Sequence, residues 1–219
     1  PHYLESFDPK PDALVGKDNG EWIQYDIHAY IENANNISFG LMAMGISKGD
    51  KVGTIMSNRP EWNFLDMGIL QTGAVHVPIY PTISESDYKY ILNHSEVKYL
   101  FIEGIELLLK IGHILTEIPG VKKIYTIKQQ DELSPLKELI ELGKNNVDEE
   151  GLRKRMTNVA EDDLATLIYT SGTTGSPKGV MLSHKNIVSN FTALEPILPI
   201  DQKTRIISHL PLCHVYERI

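Results

Sequence analysis

Leu164-Ala-Thr-Leu-Ile-Tyr169 runs directly into Thr170-Ser-Gly-Thr-Thr-Gly-Ser-Pro-Lys-Gly-Val180. The first stretch is short, apolar and suited to a buried strand; the second is a loop rich in glycine and hydroxyls with a single lysine. Such a loop suits phosphate. Gly172, Gly175 and Gly179 offer positive φ and let backbone amides approach an anion. Thr170, Ser171, Thr173, Thr174 and Ser176 each add a hydroxyl, and Lys178 adds a mobile charge for a triphosphate tail or a departing pyrophosphate. The spacing departs from that of P-loop NTPases, in which Ser or Thr follows the lysine. Here Pro177 before Lys178 has no amide proton, and Gly179 after it has no hydroxyl for magnesium. A Walker-type ATPase or GTPase is therefore disfavoured. The plainer reading, an ordinary Ser/Thr/Gly surface loop, is the weaker one, because the whole run follows one pattern just after a strand.

Upstream, strands and helices alternate. Leu14 to Tyr25 reads as a hairpin around Asp18-Asn19-Gly20, and Asp26 caps a helix with apolar positions at Tyr30, Ala34, Ile37, Leu41 and Met44. Val52 to Met56 reads as a strand, followed by a helix in which Asn58 and Glu61 form a capping box ahead of Trp62, Leu65 and Ile69. Val75 to Tyr80 and Val97 to Ile102 read as strands, with a helix between them opened by Ser84 and Asp87. Ile105 to Glu117 reads as a helix, Val121 to Ile127 as extended, and Ser134-Pro135 as the start of another helix. The charged stretch between Gly143 and Asp163 reads as a solvated connector or short surface helix. After the loop come a short strand Val180 to Leu182, a helix from Ser183 and a strand Arg205 to Leu210. This alternation predicts an α/β fold, a doubly wound and mostly parallel sheet with flanking helices. Trp22 and Trp62 are expected in the core, and His184 at a helix start.

The loop resembles the signature loop of the adenylate-forming, or AMP-binding, superfamily, which includes acyl-CoA synthetases, luciferases and peptide-synthetase adenylation domains. Three further segments resemble its long-chain fatty acid–CoA ligase branch. They are Gly49-Asp-Lys-Val-Gly-Thr-Ile-Met-Ser-Asn-Arg-Pro-Glu-Trp62, Gly73-Ala-Val-His-Val-Pro-Ile-Tyr-Pro-Thr82 and Leu210-Pro-Leu-Cys-His-Val-Tyr-Glu-Arg218. The resemblance implies ATP-dependent activation of a long-chain fatty acid to acyl-AMP and then acyl-CoA, with magnesium and coenzyme A as further participants. It implies that Thr170, Ser171, Gly172, Thr173, Thr174, Gly175, Lys178 and Gly179 hold the ATP phosphates, with Thr170 the choice for the magnesium contact. It places His214 beside the reacting carboxylate and Tyr216 along the acyl path, and makes Lys178 and His214 the catalytic pair of this chain. On residues alone, a His after a strand is more often packed or on the surface, and Tyr216 serves equally well as core.

Members of that branch run considerably longer. The expected division is a hairpin plus helix over 13–48, a βα-alternating part over 49–146, a connector over 147–162 and the phosphate-loop segment over 163–219. The mobile C-terminal domain is expected to lie outside this chain, which alone is expected not to turn over. A net charge of -8 disfavours a general nucleic-acid binder. No apolar run reaches the length of a membrane helix, leaving peripheral membrane contact as the most to expect, and a lone Cys213 suits the cytoplasm. Cys213 as a nucleophile and His209 with its neighbours as a metal site both lack a third partner at suitable spacing. Composition gives neither oligomeric state nor acyl chain length. The competing readings are an adenylating enzyme for another carboxylic acid and a non-catalytic phosphate-binding or interaction module.

Overall fold

The computed structural model describes residues 10–18, 20–128, 134–170, 175–201 and 203–218. A hairpin of β1 (Leu14–Asp18) and β2 (Glu21–Tyr25) leads into α1 (Ile27–Ala43), whose first turn is closed by Asp26 accepting from the Ala29 amide at 2.7 Å. The βα alternation follows: β3 (Lys51–Ile55), α2 (Pro60–Gln71), β4 (Val75–Ile79), α3 (Glu85–His94), β5 (Val97–Ile102), α4 (Ile105–Leu115) and β6 (Lys123–Thr126). Next are β7 (Ser134–Pro135), α5 (Leu136–Lys144), α6 (Glu149–Thr157), β8 (Leu164–Thr170), β9 (Lys178–Ser183), α7 (His184–Leu194) and the turn α8 (Val215–Arg218).

Among the described residues the sheet has seven strands in the order β7-β6-β5-β3-β4-β8-β9, parallel throughout except for β9, which runs antiparallel to β8. The chain is thus α/β and doubly wound. Because side chains alternate across a strand, Val52, Tyr99 and Phe101 pack on one side with Ile37, Leu41, Trp62 and Leu65 of α1 and α2. Ile55, Val77, Leu100 and Ile102 face the other way, against Tyr88, Ile91, Ile111 and Ile114 of α3 and α4. Two small residues set the spacing of α1 against α5. A Cβ at Gly40 would lie 2.5 Å from the Leu139 carbonyl oxygen, and one at Gly143 would overlap the Asn36 carbonyl oxygen.

Four expectations need correction. Asn58 and Glu61 form no capping box: Arg59 is the N-cap, Pro60 takes the first helical position, and Glu61 is bound by Arg59 at 2.9 Å. Trp22 is 69% exposed, because among the described residues no helix or second sheet packs on its face of the β1–β2 hairpin, whereas Trp62 is buried at 2%. The described residues 203–209 carry no strand, since no neighbouring strand among the described residues supplies a ladder there. Gly179 is absent from the positive-φ glycines, which include Gly175 at 126°; it sits in β9 for a different reason, given below.

Gly143→Ala is expected to lower stability by about 3 kcal/mol through overpacking. Gly112→Ala, on α4 with only ordinary contacts for its new methyl, should raise stability by about 0.5–1 kcal/mol. Urea unfolding followed by circular dichroism measures both.

Candidate active site

The glycine- and hydroxyl-rich loop joins two strands that pair with each other. Tyr169 faces Gly179 and Thr170 faces Lys178 across the β8–β9 ladder, so both ends of the loop are pinned by one rung. Thr170, Gly175, Ser176 and Lys178 are exposed at its mouth. Ser171, Gly172, Thr173 and Thr174 lie outside the described residues. A Cβ on Gly179 would stand 3.1 Å from Tyr169 Cζ, which explains a glycine at this position with ordinary φ. Tyr169 is held in turn by its hydroxyl, 2.7 Å from His94 Nδ1.

Parallel β4 and β8 end side by side here, with Thr166 Oγ1 donating to the His76 carbonyl at 2.8 Å. At their carboxyl ends, where open α/β sheets bind ligands, Pro78, Tyr80, Ile83, Ile91, Tyr169, Thr170 and Pro177 line a largely apolar cavity of 320 Å³. The thiol of Cys213 lies against Tyr80, and burial pushes it up to about 11, with the Tyr80 contact opposing the shift. A buried thiol with that pKa is no nucleophile. Among the described residues no group of three or more His, Cys, Asp or Glu side chains could hold a metal ion.

His214 follows Cys213 in sequence. His214 is exposed and opens α8, and its Nδ1 accepts from the Tyr216 amide at 3.2 Å. That bond leaves the proton on Nε2, which can donate outward. Tyr216 is 71% exposed. Lys178 and His214 thus both stand on solvent-facing ground at the carboxyl edge of the sheet.

What holds this segment was not legible from either motif alone. Asn58, after β3, clamps it: its amide Nδ2 donates to the Leu210 carbonyl at 2.6 Å, and its Oδ1 accepts from the Leu212 amide at 2.9 Å. Beyond His214, Arg218 reaches the partly buried Asp66 of α2, with Nε donating to Oδ2 at 3.0 Å and Nη2 to Oδ1 at 2.5 Å. Asp66 Oδ1 also accepts from His76 Nδ1 at 2.6 Å, and His76 Nε2 lies 2.8 Å from Thr54 Oγ1. Trp62 covers the group, 5.1 Å from the His76 ring and 5.8 Å from the Arg218 guanidinium carbon. Burial alone would raise the Asp66 carboxyl, but Arg218 and His76 together hold it below the usual carboxylate range. Burial lowers the His76 imidazole, helped by Arg218 and opposed by Asp66, so His76 is neutral.

Comparison with known proteins fits this geometry. A family model described as AMP-binding enzyme matches residues 6–219. Fatty acyl-CoA synthetase A of Dictyostelium discoideum is 35% identical over 210 residues, covering 90% of this chain and 30% of that protein. Long-chain-fatty-acid–CoA ligase 1 of Homo sapiens is 32% identical over 221 residues, covering 91% of this chain and 30% of the relative. The crystal structure of a long-chain-fatty-acid–CoA ligase (FadD1) from Archaeoglobus fulgidus superposes with a TM-score of 0.73 at 27% identity, over 86% of this chain and 36% of its own.

His76 resists protonation in the folded chain and accepts it at its ordinary value of 6.5 once unfolded. The unfolded state therefore binds more protons, and the stability due to the neutral imidazole is lost as pH falls below that value. The urea midpoint is expected to drop between pH 7.5 and 5, and to drop less in His76→Gln. A loop with a lysine at its mouth, pinned by one rung beside a parallel strand, together with a match along nearly all its residues, means that this chain belongs to the AMP-binding enzyme family.

Proposed function

We propose that this chain supplies the phosphate-loop part of an acid–thiol ligase, one that activates a long-chain fatty acid with ATP and transfers the acyl group to coenzyme A. The chain spans about 30% of the length of the two relatives named above, so the activity is that of the whole protein that carries it. The observation carrying the reading is the β8–β9 hairpin, which sets Lys178 opposite Thr170 at the carboxyl edge of a parallel sheet. The names of the relatives support the fatty-acid branch.

A carboxylate is a poor electrophile, because its charge repels nucleophiles and oxide does not leave. Its attack on the α-phosphate of ATP forms a carboxyl O–P bond and breaks the bond to the β-phosphate oxygen. Pyrophosphate departs with that electron pair. The thiol of coenzyme A then attacks the acyl carbon and AMP leaves. Catalysis at phosphorus is mainly positioning and charge neutralisation. In this reading Lys178 offsets charge on the β- and γ-phosphates. Thr170, Gly175 and Gly179, with Ser171, Gly172, Thr173 and Thr174, give the cradle its hydroxyls and open backbone. Thr170 meets magnesium, the outward Nε2–H of His214 orients the acyl carboxylate, and Tyr216 borders the acyl path. The exposed hydroxyl of Thr170 and amine of Lys178 are the donor chemistry that ATP with magnesium requires. Among the described residues no helix is long and apolar enough to cross a membrane. In this reading the protein is cytoplasmic, and any contact with a membrane is at most peripheral.

The test is carboxylate-dependent exchange of labelled pyrophosphate into ATP, comparing palmitate, octanoate and acetate, on this chain and on any longer protein that contains it. Exchange in the longer protein, strongest with palmitate, is the expected outcome. In that protein Lys178→Ala should lower exchange by about a hundredfold, the size of effect seen when one preorganised stabilising group is lost. Exchange strongest with a short or aromatic acid would replace the fatty-acid assignment. Its absence from every form would favour a phosphate-binding module.

A further inference from the structure

We propose that Asp66 is a positioning residue. Through Arg218 its carboxylate fixes the turn that begins at His214, and so sets where the imidazole stands at the carboxyl edge of the sheet. The inference rests on the acyl-side role given to His214 above.

Asp66 sits on α2, His76 on β4 and Thr54 on β3, so the carboxylate is anchored to the rigid centre of the sheet. An ionised carboxylate only accepts, which requires the proton of His76 on Nδ1. Nε2 then accepts from the Thr54 hydroxyl, and both ring nitrogens are used. Thr54 and His76 are 1% and 0% exposed, so this side of the network has no freedom to turn. On the other side, the guanidinium of Arg218 meets both carboxylate oxygens as a fork, a geometry that fixes direction as well as distance. The Arg218 side chain is only 5% exposed, and its third nitrogen, Nη1, has no acceptor among the described residues. Among the described residues, all of its side-chain hydrogen bonds therefore go to Asp66.

Stability is a weak reason for such a cluster, since apolar residues of similar volume commonly serve a core as well as a buried ion pair does. Orientation is a better one. His214 lies between two attachments: Asn58 grips the backbone of Leu210 and Leu212 before it, and Asp66 grips Arg218 after it. Only three residues separate His214 from Arg218. Within them the Glu217 amide donates to the His214 carbonyl at 3.1 Å and the Tyr216 amide to the His214 ring. A displacement at Arg218 is thereby passed to the imidazole.

Three variants test this: Asp66→Asn, Arg218→Met and Arg218→Lys. The first readout is amide hydrogen exchange on the chain itself. The acceptors of the Leu212 and His214 amides are Asn58 Oδ1 and the Pro211 carbonyl, which no variant touches. Both amides should nonetheless lose protection by about tenfold or more in Arg218→Met, while the amides of Ile55 and Leu100 in the sheet keep theirs. Arg218→Lys, which keeps the charge and loses the fork, should fall between wild type and Arg218→Met. The Met and Lys variants leave the sheet side of the network intact, so the test survives if Asp66→Asn does not fold. The second readout uses whichever protein exchanges pyrophosphate: KM for the fatty acid should rise about tenfold or more while KM for ATP stays within about twofold. Unchanged protection at Leu212 and His214, or equal rises in both KM values, would overturn the proposal. Lost protection with an unchanged acid KM would uphold the anchor and remove His214 from the acyl side, and absence of exchange from every form would remove the ligase reading while exchange protection still decides the anchor.

Discussion

A single carboxylate, its side chain only 14% exposed, ties neighbouring parts of the core to a segment far along the chain. Asp66 accepts from His76 of β4 and from Arg218 of the last described turn, 152 residues further along. Removing a charge from water is costly unless partners satisfy it, so Asp66, His76 and Arg218 have to arrive together. Tyr30 of α1 is pushed up to about 12, by burial first and by the charge of Asp66 second. The central strands, the first two helices of the core and the segment bearing His214 therefore share one electrostatic centre. The cradle residues and the candidate acyl-side histidine are consequently set by the same sheet.

Most of the fold was legible because its signals are local. Period-two alternation in Val97 to Ile102 sends Tyr99 and Phe101 to one helical layer and Leu100 and Ile102 to the other. Asp26, Ser84 and Ser183 accept from amides three residues on, as cap residues do. Features that depend on a distant partner were not legible. Arg205 to Leu210 has strand-like composition, but a strand requires a ladder, and the described residues there have none. Trp22 has the composition of a core residue, but among the described residues its hairpin face carries only the amine of Lys17, 5.8 Å from the ring. Asn58 has the spacing of a capping box, yet its amide is used on Leu210 and Leu212, some 150 positions away.

The candidate site divides in the same way. The loop invites a reading as a phosphate cradle because glycine, hydroxyl and lysine chemistry is written into consecutive residues. His214 could be singled out by resemblance. The groups that hold it, Asn58 and Asp66, could not, because neither belongs to a pattern pointing at residues 210–218. The segments Gly49 to Trp62 and Leu210 to Arg218 resembled one family branch separately, and the structure shows the two in contact. Gly179 is a similar case: the sequence suggests freedom of φ, whereas the fold uses its missing side chain to admit the ring of Tyr169.

The pairing of β8 with β9 bears on the order in which this chain folds. The rung Thr170 to Lys178 closes a short local loop, whereas the rung His76 to Thr166 spans ninety residues. Hairpins form in about 1–10 μs, while parallel pairing waits on the closure of long segments and is slower. The loop ends are thus expected to meet before β8 docks on β4, so that the β8–β9 hairpin reaches the sheet with its ends already paired. Its geometry would be inherited from nearest neighbours in the chain, and mutations in the distant helices would alter how firmly it is seated more than how it is shaped.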